Sequence, residues 1–265
     1  MGGPGAGDWH QAEFRFYAEL NDFLPAAARQ RPLPYRFRGT PAIKDPIEAL
    51  GVPHPEVELI LANGVPVGFD YRLADADRIA VYPVFEAFDV TPLLRLRERP
   101  LRRTAFVVDV NLGRLARHLR LLGFDASYRN DLDDAEIVRR AVGERRIVLT
   151  RDRKLLCDGA LTHGYWVRSS APAEQLDEVL WRFDLAAACH PFTRCLVCNG
   201  ELREADAAEV ATAVPADVRA TQERYRACPG CQRVYWRGSH HARLQQLVER
   251  SLERARRRRA AAAEG

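Results

Sequence analysis

Near its start the chain alternates apolar and polar positions. Phe14, Phe16 and Ala18 are separated by Arg15, Tyr17 and Glu19, a period of two that predicts a half-buried strand. Asp45-Pro46 predicts a short helix, with Asp at the cap, Pro at the first helical position and Gly51 closing it. Val57–Ala62 is an apolar run that ends at Asn63-Gly64. That dipeptide favours a type I′ hairpin turn, because both residues tolerate positive φ. Val65–Phe69 is the expected return strand and Ile79–Phe85 the last one. Strands with a single helix predict a small α+β sheet domain.

Beyond residue 104 the period changes. Phe106-Val107-Val108 is continuously apolar and ends in Asp109. Leu112, Leu115, Leu119 and Leu122 follow at helical spacing, and Gly123 stops that helix. Ala126–Tyr128 reads as a short strand, and Asp134–Val142 as a helix with Ile137, Val138 and Ala141 on one face. Ile147–Leu149 is another buried strand, followed by Thr150-Arg151-Asp152; Tyr165–Val167 and Glu174–Phe183 add a strand and a helix. Such alternation predicts βαβ units and a parallel sheet. After Ala186 it stops, and Leu244–Arg259 predicts a basic C-terminal helix. No internal repeat is present.

Composition sharpens this division. The 265 residues suffice for two domains, and 47% hydrophobic residues exclude a disordered chain. The formal net charge is +4, and the stretch from Ala242 onward, with seven Arg and three Glu, accounts for that excess. The basic signal is therefore a tail, joined by five arginines (Arg95, Arg97, Arg99, Arg102, Arg103) in a Pro-containing stretch that reads as a linker. No apolar run reaches 18 residues, so no membrane span is expected. The first residues lack the basic and apolar regions of a secretory signal, and a cytoplasmic, reducing location is expected.

Two pairs of cysteines carry the strongest chemical signal. Cys195-Leu-Val-Cys198 and Cys228-Pro-Gly-Cys231 have the two-residue spacing that lets both thiolates of a pair reach one ion from a tight turn. Four thiolates close a tetrahedral shell, so a structural zinc is expected rather than two disulfides. Cys157 and Cys189 fall outside the pattern and are expected to be ordinary buried thiols. Val234–Arg243 mixes aromatics with cations, a combination that suits bases and phosphates, though Val234 and Trp236 equally suit a small core.

The acids suggest a second centre. Asp109 ends one predicted parallel strand and Asp152 lies just past another, so both are expected at the sheet edge where ligands bind. Asp131, Asp133 and Asp134 cluster where a helix begins at the same edge. Converging carboxylates favour a hard divalent cation, magnesium or manganese, which suits phosphodiester hydrolysis. Each of Asp131, Asp133 and Asp134 also has an ordinary reading as a helix cap.

The residues from Phe106 to Phe124, Asn130-Asp-Leu-Asp-Asp134 and Leu149-Thr-Arg-Asp152 resemble the Mut7-C RNase family of PIN-like domains, as do Arg194–Gly200 and Val234–His240 for its C-terminal zinc ribbon. Phe14–Leu20, Leu50–Pro53, Asn63-Gly64 and Asp77–Val84 are similar to the ubiquitin-like, β-grasp domain that often precedes it. The resemblance implies an α/β PIN-like domain with flanking helices, a ribbon, and a preceding small α+β β-grasp domain. It sets the divisions at 12–90 (β-grasp), 91–103 (basic linker), 104–186 (nuclease), 190–243 (ribbon) and 244–265 (basic helix and tail).

It also implies metal-dependent endonucleolytic cleavage of RNA. Asp109, Asp134 and Asp152 are the implied catalytic acids, with Asp131 a further ligand of magnesium or manganese and Cys195, Cys198, Cys228 and Cys231 the zinc ligands. Arg114, Arg117, Arg151, Arg237 and Arg243 are the candidate RNA contacts. Many PIN nucleases carry a fourth acid where this chain has Arg168-Ser169-Ser170. The competing reading is a non-catalytic RNA- or ribosome-binding factor. The β-grasp domain has no terminal Gly-Gly, so sulfur transfer is rejected and docking to a protein partner expected.

Overall fold

A computed structural model describes residues 8–83 and 104–263. Along the first stretch come β1 (His10–Phe16), β2 (Leu33–Phe37), α1 (Lys44–Ala49), β3 (Leu59–Ala62), β4 (Val65–Val67) and β5 (Arg78–Tyr82). The next are β6 (Ala105–Val108), α2 (Gly113–Leu121), β7 (Asp125–Ser127), α3 (Asp134–Glu144), β8 (Ile147–Thr150), α4 (Arg153–Leu156), β9 (Gly164–Trp166) and α5 (Pro172–Arg182). The cysteine region adds β10 (Arg203–Glu204), α6 (Ala207–Ala213), α7 (Ala216–Arg219), β11 (Tyr225–Ala227), β12 (Val234–Trp236) and α8 (Ser239–Ala263). The expected linker at 91–103 lies outside the described residues.

Contacts divide the chain into two units, Met1–Arg102 with Asp152–Trp166, and Arg103–Arg151 with Val167–Gly265. The first holds a mixed sheet of order β2-β1-β5-β3-β4, in which β1 and β5 run parallel and the other pairs antiparallel. Its core gathers the inward residues of β1, Phe14 and Phe16, with Ile43, Ile47, Ile60, Leu73 and Val81. The predicted hairpin is present, with Asn63 and Gly64 at φ 52° and 84°. Strand β1 stops at Phe16, however, because Ala18 adopts φ 47° and turns the chain. Helix α1 is capped by Ile43 rather than Asp45. Ile43 is fully buried and its amide donates to the Tyr71 carbonyl at 2.8 Å, which starts the turn early. Pro46 then sits in the first turn, where a missing N–H costs nothing. Strand β2 had no expectation; it is an edge strand, where Pro34 is tolerated.

Asp152–Trp166 packs within this first unit. The Leu161 carbonyl lies 2.6 Å from His54 Nε2, the Trp166 amide donates to the Glu56 carboxylate, and Arg153 stacks 3.8 Å over Trp166 and 5.3 Å from the Phe23 ring centre.

In the second unit β7, β6 and β8 lie side by side in that order, all parallel. Every residue of β6 and β8 is buried, as a sheet covered on both faces requires. Helix α2 packs its leucines inward and ends at Gly123, at φ 92°. Strands β10, β11 and β12 form an antiparallel ribbon, and the segment between the cysteine pairs contains α6 and α7. Helix α8 begins at Ser239, earlier than expected, and packs on α5. Arg254 pairs with Asp177 at 2.8 Å and Arg258 stacks 3.7 Å over Trp181, while Val248, Ser251 and Ala255 are buried. Part of the basic helix is therefore a packing face, and only its other face is free for the phosphate contacts expected of a tail. Among the described residues no helix is long and apolar enough to cross a membrane.

Candidate functional site

The apolar strand β6 carries Asp109 at its C-terminal end, where the carboxylate is only 4% exposed. Its amide donates to the Leu149 carbonyl at 3.0 Å, so the backbone stays in register with β8. The side chain accepts from the Thr150 hydroxyl at 2.6 Å and from the Asn111 amide at 3.5 Å, capping the turn Val110–Leu112. The Thr150 of the Thr-x-Asp motif therefore holds Asp109 in place. Beside this turn is a hollow of about 520 Å³, lined in part by Asn111, Arg114, Arg117, Tyr128 and Gln175. The Tyr128 hydroxyl donates to the Val110 carbonyl at 3.1 Å. A Cβ on Gly113 would lie 2.5 Å from the Tyr128 hydroxyl, so a side chain there would have to push the tyrosine ring aside.

The other acids serve local structure. Asp133 caps α3 by accepting from the Glu136 amide at 2.7 Å, and exposed Asp134 is the first helical residue. Asp131 pairs with Arg129 at 2.6 Å, and that bond holds its carboxyl below the usual range. Asp152, in the first unit, caps α4 through the Lys154 amide at 2.8 Å. Among the described residues, the only group of three or more metal-ligating side chains close enough to share an ion is the cysteine quartet. Asp109, Asp131 and Asp134 are not brought into a common shell.

The loop expected to lack a fourth acid is braced by a carboxylate from the following helix. Glu178 of α5 accepts from the Arg168 and Ser169 amides at 2.8 and 2.9 Å, while the Arg151 guanidinium donates to both carbonyls of those residues. Arg151 is thus engaged with its own backbone. Arg114, Arg117, Arg237 and Arg243 are exposed, as an RNA contact must be.

The four cysteine sulfurs lie within 4.8 Å of one another, with Cys195 and Cys231 at 3.5 Å and Cys198 and Cys228 at 3.3 Å. A tetrahedral zinc with bonds near 2.3 Å separates its sulfurs by roughly 3.8 Å, so the quartet fits that ion. Asn199 and Gln232, at φ 73° and 59°, close the two knuckles. A Cβ on Gly200 would lie 3.1 Å from the Cys228 sulfur, which explains glycine there. Burial opposes ionisation of Cys195, but the Cys198 amide, the Tyr235 hydroxyl at 3.0 Å and further donors outweigh it and hold the thiol down to about 6. Burial pushes the Cys198 and Cys231 thiols up instead, so without a cation's charge the quartet favours a single thiolate, and a bound metal would have to displace the other protons. Of the remaining cysteines, Cys189 is half-buried and pushed up to about 11 by burial, whereas Cys157 is exposed, contrary to the expected buried thiol. It caps the C-terminal end of α4 at the surface.

The first knuckle is built into the sheet. Arg120, 3% exposed, donates to the Ala126 carbonyl at 2.9 Å and to the Val197 carbonyl at 2.8 Å. Arg194 donates to the Gly123 and Asn199 carbonyls at 3.1 and 2.8 Å. Asn199 donates to Asp125 at 2.7 Å and accepts from the Ala126 amide at 3.0 Å. A Cβ on Gly123 would meet the His190 carbonyl at 2.3 Å. None of this was legible as function in the sequence; the one signal was two arginines, Arg120 and Arg194, among apolar residues.

Family models match the chain in two places, residues 9–89 to the Mut7-C ubiquitin domain and residues 104–248 to the Mut7-C RNAse domain. No curated protein and no solved structure matches it. The second match covers more than half of the chain and takes in Asp109, Thr150 and all four knuckle cysteines, so the chain belongs to the Mut7-C RNAse domain family, with a Mut7-C ubiquitin domain before it.

Proposed function

We propose that this protein is a ribonuclease that hydrolyses phosphodiester bonds of single-stranded RNA, with Asp109 at the centre of its chemistry. One observation carries the reading: a buried carboxylate ends an apolar strand, is held by the Thr150 hydroxyl at 2.6 Å, and caps a turn whose Asn111 and Leu112 line a hollow edged by arginines. Burying a carboxylate is costly, and packing alone gives no reason to keep one there. The resemblance to PIN-like nucleases adds Asp134 and Asp152 to the same reaction. Magnesium or manganese would supply charge neutralisation at the phosphate. Such ions take one or two carboxylates, keep several waters and use the substrate's own phosphates. Asp109 suits that role, whereas a closed cage of Asp109, Asp131 and Asp134 does not fit the positions of these residues. Asp109 acts as a fixed acceptor at the edge, and Arg114 and Arg117 hold the RNA backbone. The cysteine quartet holds one structural zinc with no open position. The β-grasp domain serves as a docking module, and the two C-x2-C pairs, whose spacing suits a metal rather than disulfides, support a cytoplasmic location.

A second reading is a non-catalytic RNA- or ribosome-binding factor. The absence of a shared carboxylate shell among the described residues favours it. Labelled single-stranded RNA incubated with manganese and either the wild-type chain or Asp109→Asn separates the two. Cleavage by the wild type alone is expected; cleavage by both, or by neither, counts against the first reading. Elemental analysis is expected to find one zinc per chain.

A further inference from the structure

A long cleft of the second unit lies on the cysteine ribbon, and Asp109 is not among its lining residues. It measures about 1090 Å³, above the roughly 300–1,000 Å³ of ordinary small-molecule pockets, and runs along the ribbon surface. Its walls carry five arginines against a single acid, Glu204. Aromatic rings alternate with those charges. Phe192 and His241 stack at 4.5 Å and 23°, and Tyr235 and Trp236 of β12 form the neighbouring wall. Burial and then the Arg237 charge hold His241 below its ordinary value, so its ring faces the cleft uncharged at neutral pH. Arg224, Arg226 and Arg237 are exposed. Arg117 lines both this cleft and the hollow beside the Asp109 turn.

We propose that the ribbon cleft is a capture channel for an unpaired RNA strand, which stacks its bases on Trp236 and the Phe192–His241 pair and passes its phosphates along the arginines toward Arg117 and the Asp109 edge. The polarity fits a polyanion, and flat rings fit base faces, which a duplex keeps hidden. A small anion would not need the aromatic wall, and an apolar peptide would not need the charge. The inference rests on the ribonuclease reading only for the direction in which the strand runs.

The binding test uses the full chain in an Asp109→Asn background, so that bound RNA stays intact. The probes are short fluorescein-labelled oligouridine, the matching oligodeoxythymidine and a hairpin duplex, read by anisotropy across a salt series. The variants are Arg224→Glu with Arg226→Glu and Arg237→Glu, whose side chains are exposed, and Trp236→Ala beside Trp236→Phe. The charge variant is expected to bind oligouridine at least about tenfold more weakly and with a shallower salt slope. Trp236→Ala is expected to lose at least about fivefold, and Trp236→Phe to recover most of it. Oligodeoxythymidine should follow the same losses, because the cleft reads bases and phosphates. Unchanged affinity in the charge variant, or tighter binding of the duplex than of the strand, overturns the channel. Cleavage assays on the Asp109-containing forms keep the two readings apart. If the wild type does not cut yet the charge variant loses binding, the ribonuclease reading fails and the channel stands; if the wild type cuts and the charge variant binds and cuts equally well, the reverse holds.

Discussion

Asp109 and Thr150 form the smallest functional pair in the molecule, one fully desolvated hydroxyl serving one nearly buried carboxylate. Thr150→Val keeps the shape but removes the donor. It is expected to cost about 1–3 kcal/mol of stability, the usual price of an unsatisfied buried polar group. Cleavage should fall too, and Thr150→Ser should restore both; chemical denaturation and the RNA assay measure them. The acid itself was legible in the sequence, because nothing apolar explains a carboxylate that closes a strand. Its partner was legible only as part of a motif. Arg120, Arg194 and Asn199 were not legible at all. Their carbonyl and carboxylate partners lie as far as 77 residues away, and local pattern carries no record of such meetings.

The elements raise a different question, namely what keeps the ribbon seated on the sheet. Burial alone would push the Asp125 carboxyl up, but hydrogen bonds from Arg146 and Asn199, and then the charges of Arg146 and Arg194, hold it below its ordinary 3.8. A carboxyl with a depressed folded pKa stabilises above its unfolded value and loses that contribution as pH falls through the folded one. The stability gap between the wild type and Asp125→Asn is therefore expected to be complete above about pH 4 and to shrink below it, as urea unfolding at a series of pH values would show. Helix α8 shows the limit of reading charge from composition. A run of arginines resembles a tail, yet Arg254 and Arg258 face α5. Arg254→Ala with Arg258→Ala is expected to lower stability by about 1–2 kcal/mol, since the pair is half-exposed and the ring contact modest. Oligouridine affinity should not change, whereas a phosphate-binding role would cut it.

For the whole molecule, both domains were readable as α+β followed by α/β, because strand and helix periods differ so plainly. The strand in Asp152–Trp166 also takes the place that the alternation predicts, last in the order β7-β6-β8-β9; where the rest of that segment packs was not readable. Its helix and strand look like the next βα step, yet its closest associations are with the first unit. Whether a short apolar stretch goes to one domain or another depends on shape, which periodicity does not encode. A chain beginning at residue 104 lacks His54, Glu56 and Phe23, the partners of that segment. Limited proteolysis of such a truncation is expected to cut between residues 152 and 166, and the full-length protein to resist there. Equal resistance would mean the segment holds itself in place.

That loan of fifteen residues bears on inheritance as well as stability. Gene fusion and recombination exchange segments at boundaries drawn along the chain, and here the map suggests a clean joint near residue 100. A new ubiquitin-like half arriving at that joint would have to bring a seat that fits Leu161, Trp166 and Arg153. Across relatives, positions 23, 54 and 56 should therefore covary with 153, 161 and 166, so that the two halves descend together even though each reads as a module.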